Sequence, residues 1–375
     1  QLRHMGSIVR AVAGSRSGAA GGISSFQAFA VGLACRVGTG NIVGVALAII
    51  LGGPGAVFWM WVVALVGMAT GFIEATLAQL YKIPHPEGTF RGGPAYYISR
   101  GLGSRRWAGV FAVVITFVFG FAYEATQANA ISKVMEGTFG VPAWGTAIAL
   151  MVLATPVVVG GISVVARIAE WMAPIMATIY VIMVAIVCLM SITQFGTVLG
   201  QIFTSAFSMD ATVGGLGGGI IAAMINGTKR GLFSNEAGLG TVPNAAGTAT
   251  VAHPVRQGLI QSFGVFVDTI LVCTATGLLI LLNTETYHPG DGSLVGAILT
   301  QQAVAEHLGA WTTWPMVVLI FVLVFSTVLG CYSYAQVNVN FLGGERRSEQ
   351  IFGIVLTAAA FGGTVLTLPV VWALT

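Results

Sequence analysis

Arg36-Val37-Gly38-Thr39-Gly40-Asn41-Ile42 decides how this chain is read. The seven residues lie inside an apolar run, 26–51, that is long enough to cross a bilayer at about 1.5 Å per helical residue. Glycines on both sides of Thr39 weaken a helix there, and Thr39 and Asn41 bring polar groups to a depth where lipid offers no partner. Such a segment survives in a membrane only where its backbone faces protein or a cavity. An unwound stretch near the midplane presents carbonyls that can hold a cation and amides that can hold a carboxylate. The competing reading is a glycine-lined seam for helix packing, a common device in membrane bundles. The seven residues alone do not separate the two.

Composition sets the class. Of the 375 residues, 56% are hydrophobic and 8% charged, with 51 glycines. A soluble domain carries about 25% charge, so the chain reads as an all-α polytopic membrane protein surrounded by a lipid bilayer. The formal net charge is only +3, and the bases gather in loops rather than on one face, which argues against nucleic acid. Cys35, Cys188, Cys273 and Cys331 all fall in apolar runs without metal-ligand spacing. They read as small buried hydrophobes, with no disulfide framework.

Residues 1–24 carry Arg3, Arg10 and Arg16 and lack the long apolar core of a signal peptide, so they read as a cytoplasmic amphipathic lead-in. Candidate spans follow at about 25–52, 54–81, 107–135, 142–164, 168–194, 212–250, 257–283, 313–341 and 350–374. Gly52-Gly53-Pro54-Gly55 makes the first turn, and Pro142 and His253-Pro254 mark later helix starts. Lys82, Arg91, Arg100, Arg105 and Arg106 fill the loop after the second span. Arg167, Arg256, Arg346 and Arg347 fall after the fourth, sixth and eighth, whereas 284–312 contains no Lys or Arg. By the positive-inside rule the basic loops and the N-terminus are cytoplasmic. The outer stretch 293–308 suits a re-entrant or surface helix.

The sixth span opens with Gly214-Gly215-Leu216-Gly217-Gly218-Gly219 and reaches Asn226-Gly227-Thr228-Lys229-Arg230-Gly231-Leu232-Phe233-Ser234-Asn235-Glu236-Ala237-Gly238. Counting about as far in from the outside as the first break lies from the inside predicts a second interruption at 225–231. Two broken helices, five spans apart and entering from opposite faces, mark an inverted-repeat transporter. Residues 25–195 then form the first repeat and 196–375 the second, which is one span short.

Several stretches are distinctive: Val37-Gly-Thr-Gly-Asn-Ile42, Gly52-Gly-Pro-Gly-Ala-Val-Phe-Trp-Met-Trp61, Gly92-Gly-Pro-Ala-Tyr-Tyr97, Gln127-Ala-Asn129, Arg230-Gly-Leu-Phe-Ser-Asn-Glu-Ala-Gly-Leu-Gly240 and Val267-Asp-Thr269. Together they resemble the alanine/glycine:cation symporter family, the sodium:alanine symporters, from Gln1 to Trp372. The resemblance implies a leucine-transporter-like five-plus-five core preceded by one extra helix. It also implies Na⁺-coupled symport of small neutral amino acids by alternating access in a bacterial or archaeal plasma membrane, by a monomer with no organic cofactor. Against that pattern the chain starts after the extra helix and stops before the last core helix.

The resemblance further implies substrate contacts at Thr39, Gly40, Asn41 and Gln127, with the matching break around Met224 and Ile225 closing the pocket. For Gln127 the alternative is an interhelical hydrogen bond, worth about 0.6–2 kcal/mol in a membrane. A Na⁺ site is implied where the hydroxyls of Ser326 and Thr327 meet the carbonyls of Ala34, Val37 and Leu323. The alternative there is two hydroxyls bonding back to their own helix. After Gly330 the family usually places Trp, whereas this chain has Cys331, which implies a larger pocket and somewhat larger neutral substrates.

Charges at membrane depth are functional or structurally paired. Arg36, Glu124, Lys229, Arg230 and Asp268 are the candidates for gating and ion pairs, with Asp268 expected to pair with a base such as Arg36 or Lys229. Glu124 lies three residues before Gln127 and near the same helix face, leaving room for proton coupling. Two alternatives to Na⁺-coupled transport stand beside it: the same fold coupled to H⁺, and a protein that transports nothing. An enzyme is disfavoured because the sequence holds no HExxH or Gly-x-Ser-x-Gly motif, and a channel would not need two breaks in inverted relation.

Overall fold

The structure is a computed structural model that describes residues 5–16, 22–86, 88–209, 219–283 and 296–366. After a short amphipathic helix, α1 (Met5–Ala13), the chain enters α2 (Ser25–Arg36) through a capping box. Ser24 Oγ accepts from the Gln27 N–H at 3.1 Å, and Gln27 Oε1 accepts from the Ser24 N–H at 3.0 Å. Helical geometry ends where the glycines begin: Val37 turns to φ −79°, ψ 82°. The chain resumes in a π-helical turn, Gly40–Gly44, and in α3 (Val45–Gly52), bent by 45° from α2. The first expected break is therefore present.

Next come α4 (Gly55–Leu80), a small antiparallel hairpin of β1 (Ile83–Pro84) and β2 (Phe90–Arg91), and α5 (Pro94–Gly101). Then α6 (Arg105–Phe117) runs through π-helical Val118–Ala122 into α7 (Tyr123–Phe139). They are followed by α8 (Ala143–Val159), α9 (Ile162–Met190) and α10 (Ile192–Ala206). Beyond them lie α11 (Gly219–Asn235), α12 (Val242–Ala246), and α13 (Pro254–Val265) joined by π-helical Phe266–Cys273 to α14 (Thr274–Leu281). The last helices are α15 (Ala297–Leu308), α16 (Thr313–Phe341) and α17 (Arg346–Val365).

Among the described residues five stretches are long and apolar enough to cross a membrane: Gly55–Leu80, Arg105–Phe139, Ile162–Met190, Pro254–Leu281 and Ala310–Phe341. The bent pair α2–α3 makes a sixth if counted as one span. The most apolar stretch of α16 is 78% buried and that of α9 only 33%, so α16 is the central pillar and α9 faces outward. One side of α16 packs on α2 and α7, while α4 receives α11 and α13. α9 starts at Ile162 rather than 168 because Gly161, at φ +80°, makes the turn, and Arg167 is helical. The stretch expected to form a re-entrant or surface helix is helical over α15, with one face buried. Residues 293–295, the glycines at 214–218, the end of the ninth span and Arg3 lie outside the described residues.

The second break is not where the glycines at 227 and 231 placed it. α11 is continuous through 225–231. A Cβ on Gly227 would come 2.7 Å from the Trp59 Cβ, so this glycine lets α11 press onto α4 rather than unwinding it. The chain breaks after Asn235. Glu236 takes φ +55°, a left-handed conformation unusual for a residue with a side chain, and Gly238 and Gly240 follow at +90° and +73°.

Candidate functional site

Because α2 stops at Arg36, carbonyls of its last turn are released from helical pairing. The Ala34 carbonyl is met across the seam by α16: it lies 3.3 Å from Ser326 Oγ and 3.1 Å from Thr327 Oγ1. Each hydroxyl is shared with the Leu323 carbonyl, at 2.8 Å and 3.0 Å respectively. The two hydroxyls thus bond back to their own helix and also reach the broken one. Ala34, Leu323, Ser326 and Thr327 come together as expected, and Val37, fully buried, is the first residue out of the helix. The gap is narrow, since a Cβ on Gly38 would collide with Thr327 Oγ1 and stand 3.2 Å from Gln127 Oε1.

One residue further on, the Thr39 N–H donates to Gln127 Oε1 at 3.2 Å, and the Gly38 N–H to Asn41 Oδ1 at 2.9 Å. Thr39 Oγ1 and Gln127 Nε2 are buried with no partner. A Cβ on Gly40 would lie 3.1 Å from Ser234 Cα, so the first break faces the end of α11 just before the second. Tyr123 anchors that end: its hydroxyl donates to the Phe233 carbonyl at 2.9 Å while its ring stacks on Phe233 at 4.6 Å. Thr39, Gly40, Asn41 and Gln127 are therefore gathered. Met224 and Ile225 are not. They lie more than two turns back on an unbroken α11, with 40% and 43% of their surface exposed, because the break they were expected to flank is at 236–240.

Asp268 corrects a second expectation. Its carboxylate is bound by neutral donors, not by a base: Asn41 Nδ2 at 2.7 Å, Ser234 Oγ at 3.0 Å and Thr269 Oγ1 at 2.7 Å. Three elements converge there, the π-helical turn after each of α2 and α13 and the end of α11. Arg36 is buried and spends Nη1 on the Gln261 carbonyl at 3.1 Å. Lys229 is exposed and Arg230 half-buried on α11. Three hydrogen bonds from neutral groups satisfy the carboxyl oxygens without an ion pair.

Around the break lie three buried carboxyls, Glu124, Glu236 and Asp268, together with the buried Arg36. Glu236 accepts from Thr241 Oγ1 at 2.7 Å, whereas neither oxygen of Glu124 has a partner. Cys331 sits fully buried with its Sγ 3.3 Å from Cys35 Sγ, against α2. Sequence reasoning missed Ser234, Thr269, Cys273 and Tyr123. Cys273 lies 3.3 Å from Asn41 Nδ2 and 3.2 Å from Ser234 Oγ. The signal for Ser234 was the polar run Ser234-Asn235-Glu236 ahead of Gly238 and Gly240; its Asp268 partner could not be read from either stretch alone.

A family model, that of the sodium:alanine symporters, matches residues 1–375. The chain belongs to this family. It is 47% identical over 352 residues to the amino-acid carrier protein AlsT of Bacillus subtilis, spanning 94% of this chain and 74% of that protein. It is 42% identical over 372 residues to the probable sodium/glutamine symporter GlnT of the same organism, spanning 99% and 76%. A solved Na⁺-coupled sialic acid symporter shares the fold at a TM-score of 0.62 and 14% identity, over 91% of this chain and 72% of that one. This member of the sodium:alanine symporter family is thus a multi-pass membrane transporter of leucine-transporter-like fold, and not an enzyme.

Proposed function

We propose that this transporter couples Na⁺ entry to uptake of small neutral amino acids, alanine, glycine or somewhat larger, with both sites built on the break at 37–41. The observation that carries the reading is the pair of hydroxyls, Ser326 and Thr327, converging on the Ala34 carbonyl one turn before the Thr39–Gln127 contact. Neutral oxygens suffice for a monovalent hard cation. Released amides and the Thr39 hydroxyl suit a carboxylate, and the carbonyls at the end of a half-helix suit an ammonium. All these groups come from one copy of the chain. We place the basic loops and the N-terminal helix α1 on the cytoplasmic side of the plasma membrane, following the positive-inside rule.

The test is uptake of labelled alanine into proteoliposomes under an inward Na⁺ gradient, with choline in its place as the control. Accumulation that needs the Na⁺ gradient supports the reading. Accumulation driven equally by a proton gradient in choline would overturn Na⁺ coupling and favour coupling through H⁺.

A further inference from the structure

Glu124 is a buried carboxyl that the hydrogen-bond network of the described residues leaves out. It is fully buried on α7, and neither of its carboxyl oxygens has a hydrogen-bond partner among the described residues. Gln127 lies three residues on, so the two share a face and stand about 4.5 Å apart along the axis, at about 1.5 Å per residue. Gln127 has used its carbonyl oxygen on the Thr39 N–H, but its Nε2 has no acceptor. The facing helix is α16, running antiparallel at this point. Gln127 and Thr327 both border Gly38, and the Phe119 ring lies 5.9 Å from that of Tyr334. Cys331, between Thr327 and Tyr334, therefore stands level with Glu124, and the Tyr334 hydroxyl is another buried group without a partner.

An open acceptor and an open donor, one helical turn apart beside a residue as small as Cys331, are complementary to a ligand group that carries both a donor and an acceptor. The backbone at 39–41 takes the groups that every amino acid has, which leaves Glu124 to the part that differs. Resting on the amino-acid reading above, we propose that Glu124 is the specificity-determining residue and selects substrates with a carboxamide side chain. The substrate NH₂ donates to the Glu124 carboxyl, and its C=O accepts from Gln127 Nε2. A buried site built to hydrogen-bond a substrate group rejects analogues that lack it far more strongly than an apolar pocket does.

The experiment is competition against labelled alanine by glutamine and by norleucine, which has similar length but no polar end, in the full-length protein with a Na⁺ gradient. The parent should prefer glutamine by about tenfold or more. In Glu124→Leu the loss of glutamine affinity should exceed the loss of alanine affinity by about tenfold. Glu124→Gln, which still offers an acceptor, should keep the glutamine preference within about threefold. Equal losses for alanine and glutamine in Glu124→Leu would overturn the proposal. So would abolished uptake of both in Glu124→Gln, since that is how a proton carrier behaves. If Glu124→Leu fails to fold, Glu124→Gln decides alone. A parent that takes up no alanine with Na⁺ refutes the amino-acid reading itself, whereas a parent that does so without favouring glutamine refutes only the assignment of Glu124.

Discussion

Thr327 Oγ1 stands 3.1 Å from the carbonyl oxygen of Ala34, across the seam between α16 and the broken first span. A hydroxyl that served only its own helix would stop at Leu323, 3.0 Å away. We predict that Thr327→Ala weakens Na⁺ activation by about tenfold, roughly 1.4 kcal/mol. Through linkage it should also raise the apparent alanine constant at fixed Na⁺. Na⁺ titrations of uptake in parent and variant check this, and superimposable curves would leave Thr327 as a helix back-bonder.

Two glycine substitutions separate the ion site from the packing seam. Gly38→Ala puts a methyl against Thr327 Oγ1, and overpacking at about 1–3 kcal/mol should lower Na⁺-dependent uptake by tenfold or more. Gly227→Ala puts one against α4, far from the hydroxyl pair, so it should lower thermal stability while leaving the Na⁺ dependence of the surviving protein as it was. The comparison is a melting curve and a Na⁺ titration for each variant. A normal Na⁺ curve in Gly38→Ala would contradict the narrow gap.

Asp268 is hydrogen-bonded by three neutral donors. Asp268→Asn turns an amide group toward them, and an unmet buried partner costs about 1–3 kcal/mol. Stability should fall by about that much, with transport, as read by melting in detergent and by uptake. Arg36→Gln added to Asp268→Asn should not restore either. Recovery in the double variant would reinstate the ion pair that the sequence suggested.

Much of this was legible in the chain before the fold was. Glycines at 38 and 40 in an apolar run mark a break because nothing local offsets their cost, and Ser326-Thr327 stand out as hydroxyls in an apolar stretch. Glycines at 227 and 231 carry the same local signature yet lie in a continuous helix, since α4 packs close enough to hold it. Helix strength depends there on a neighbour about 170 residues away, which no local pattern records. The Asp268 network failed to show for a similar reason. A charge at membrane depth demands partners, but Asn41, Ser234 and Thr269 supply them as neutral groups, and only folding brings them together.

If ion and amino acid share the break at 37–41, each must strengthen binding of the other. The most direct measurement is labelled-alanine binding to the purified protein in detergent, in NaCl and in choline chloride at equal ionic strength. Binding should be about tenfold tighter or more in Na⁺, with the gain largely lost in Thr327→Ala. Equal alanine affinity in the two salts would contradict a shared site.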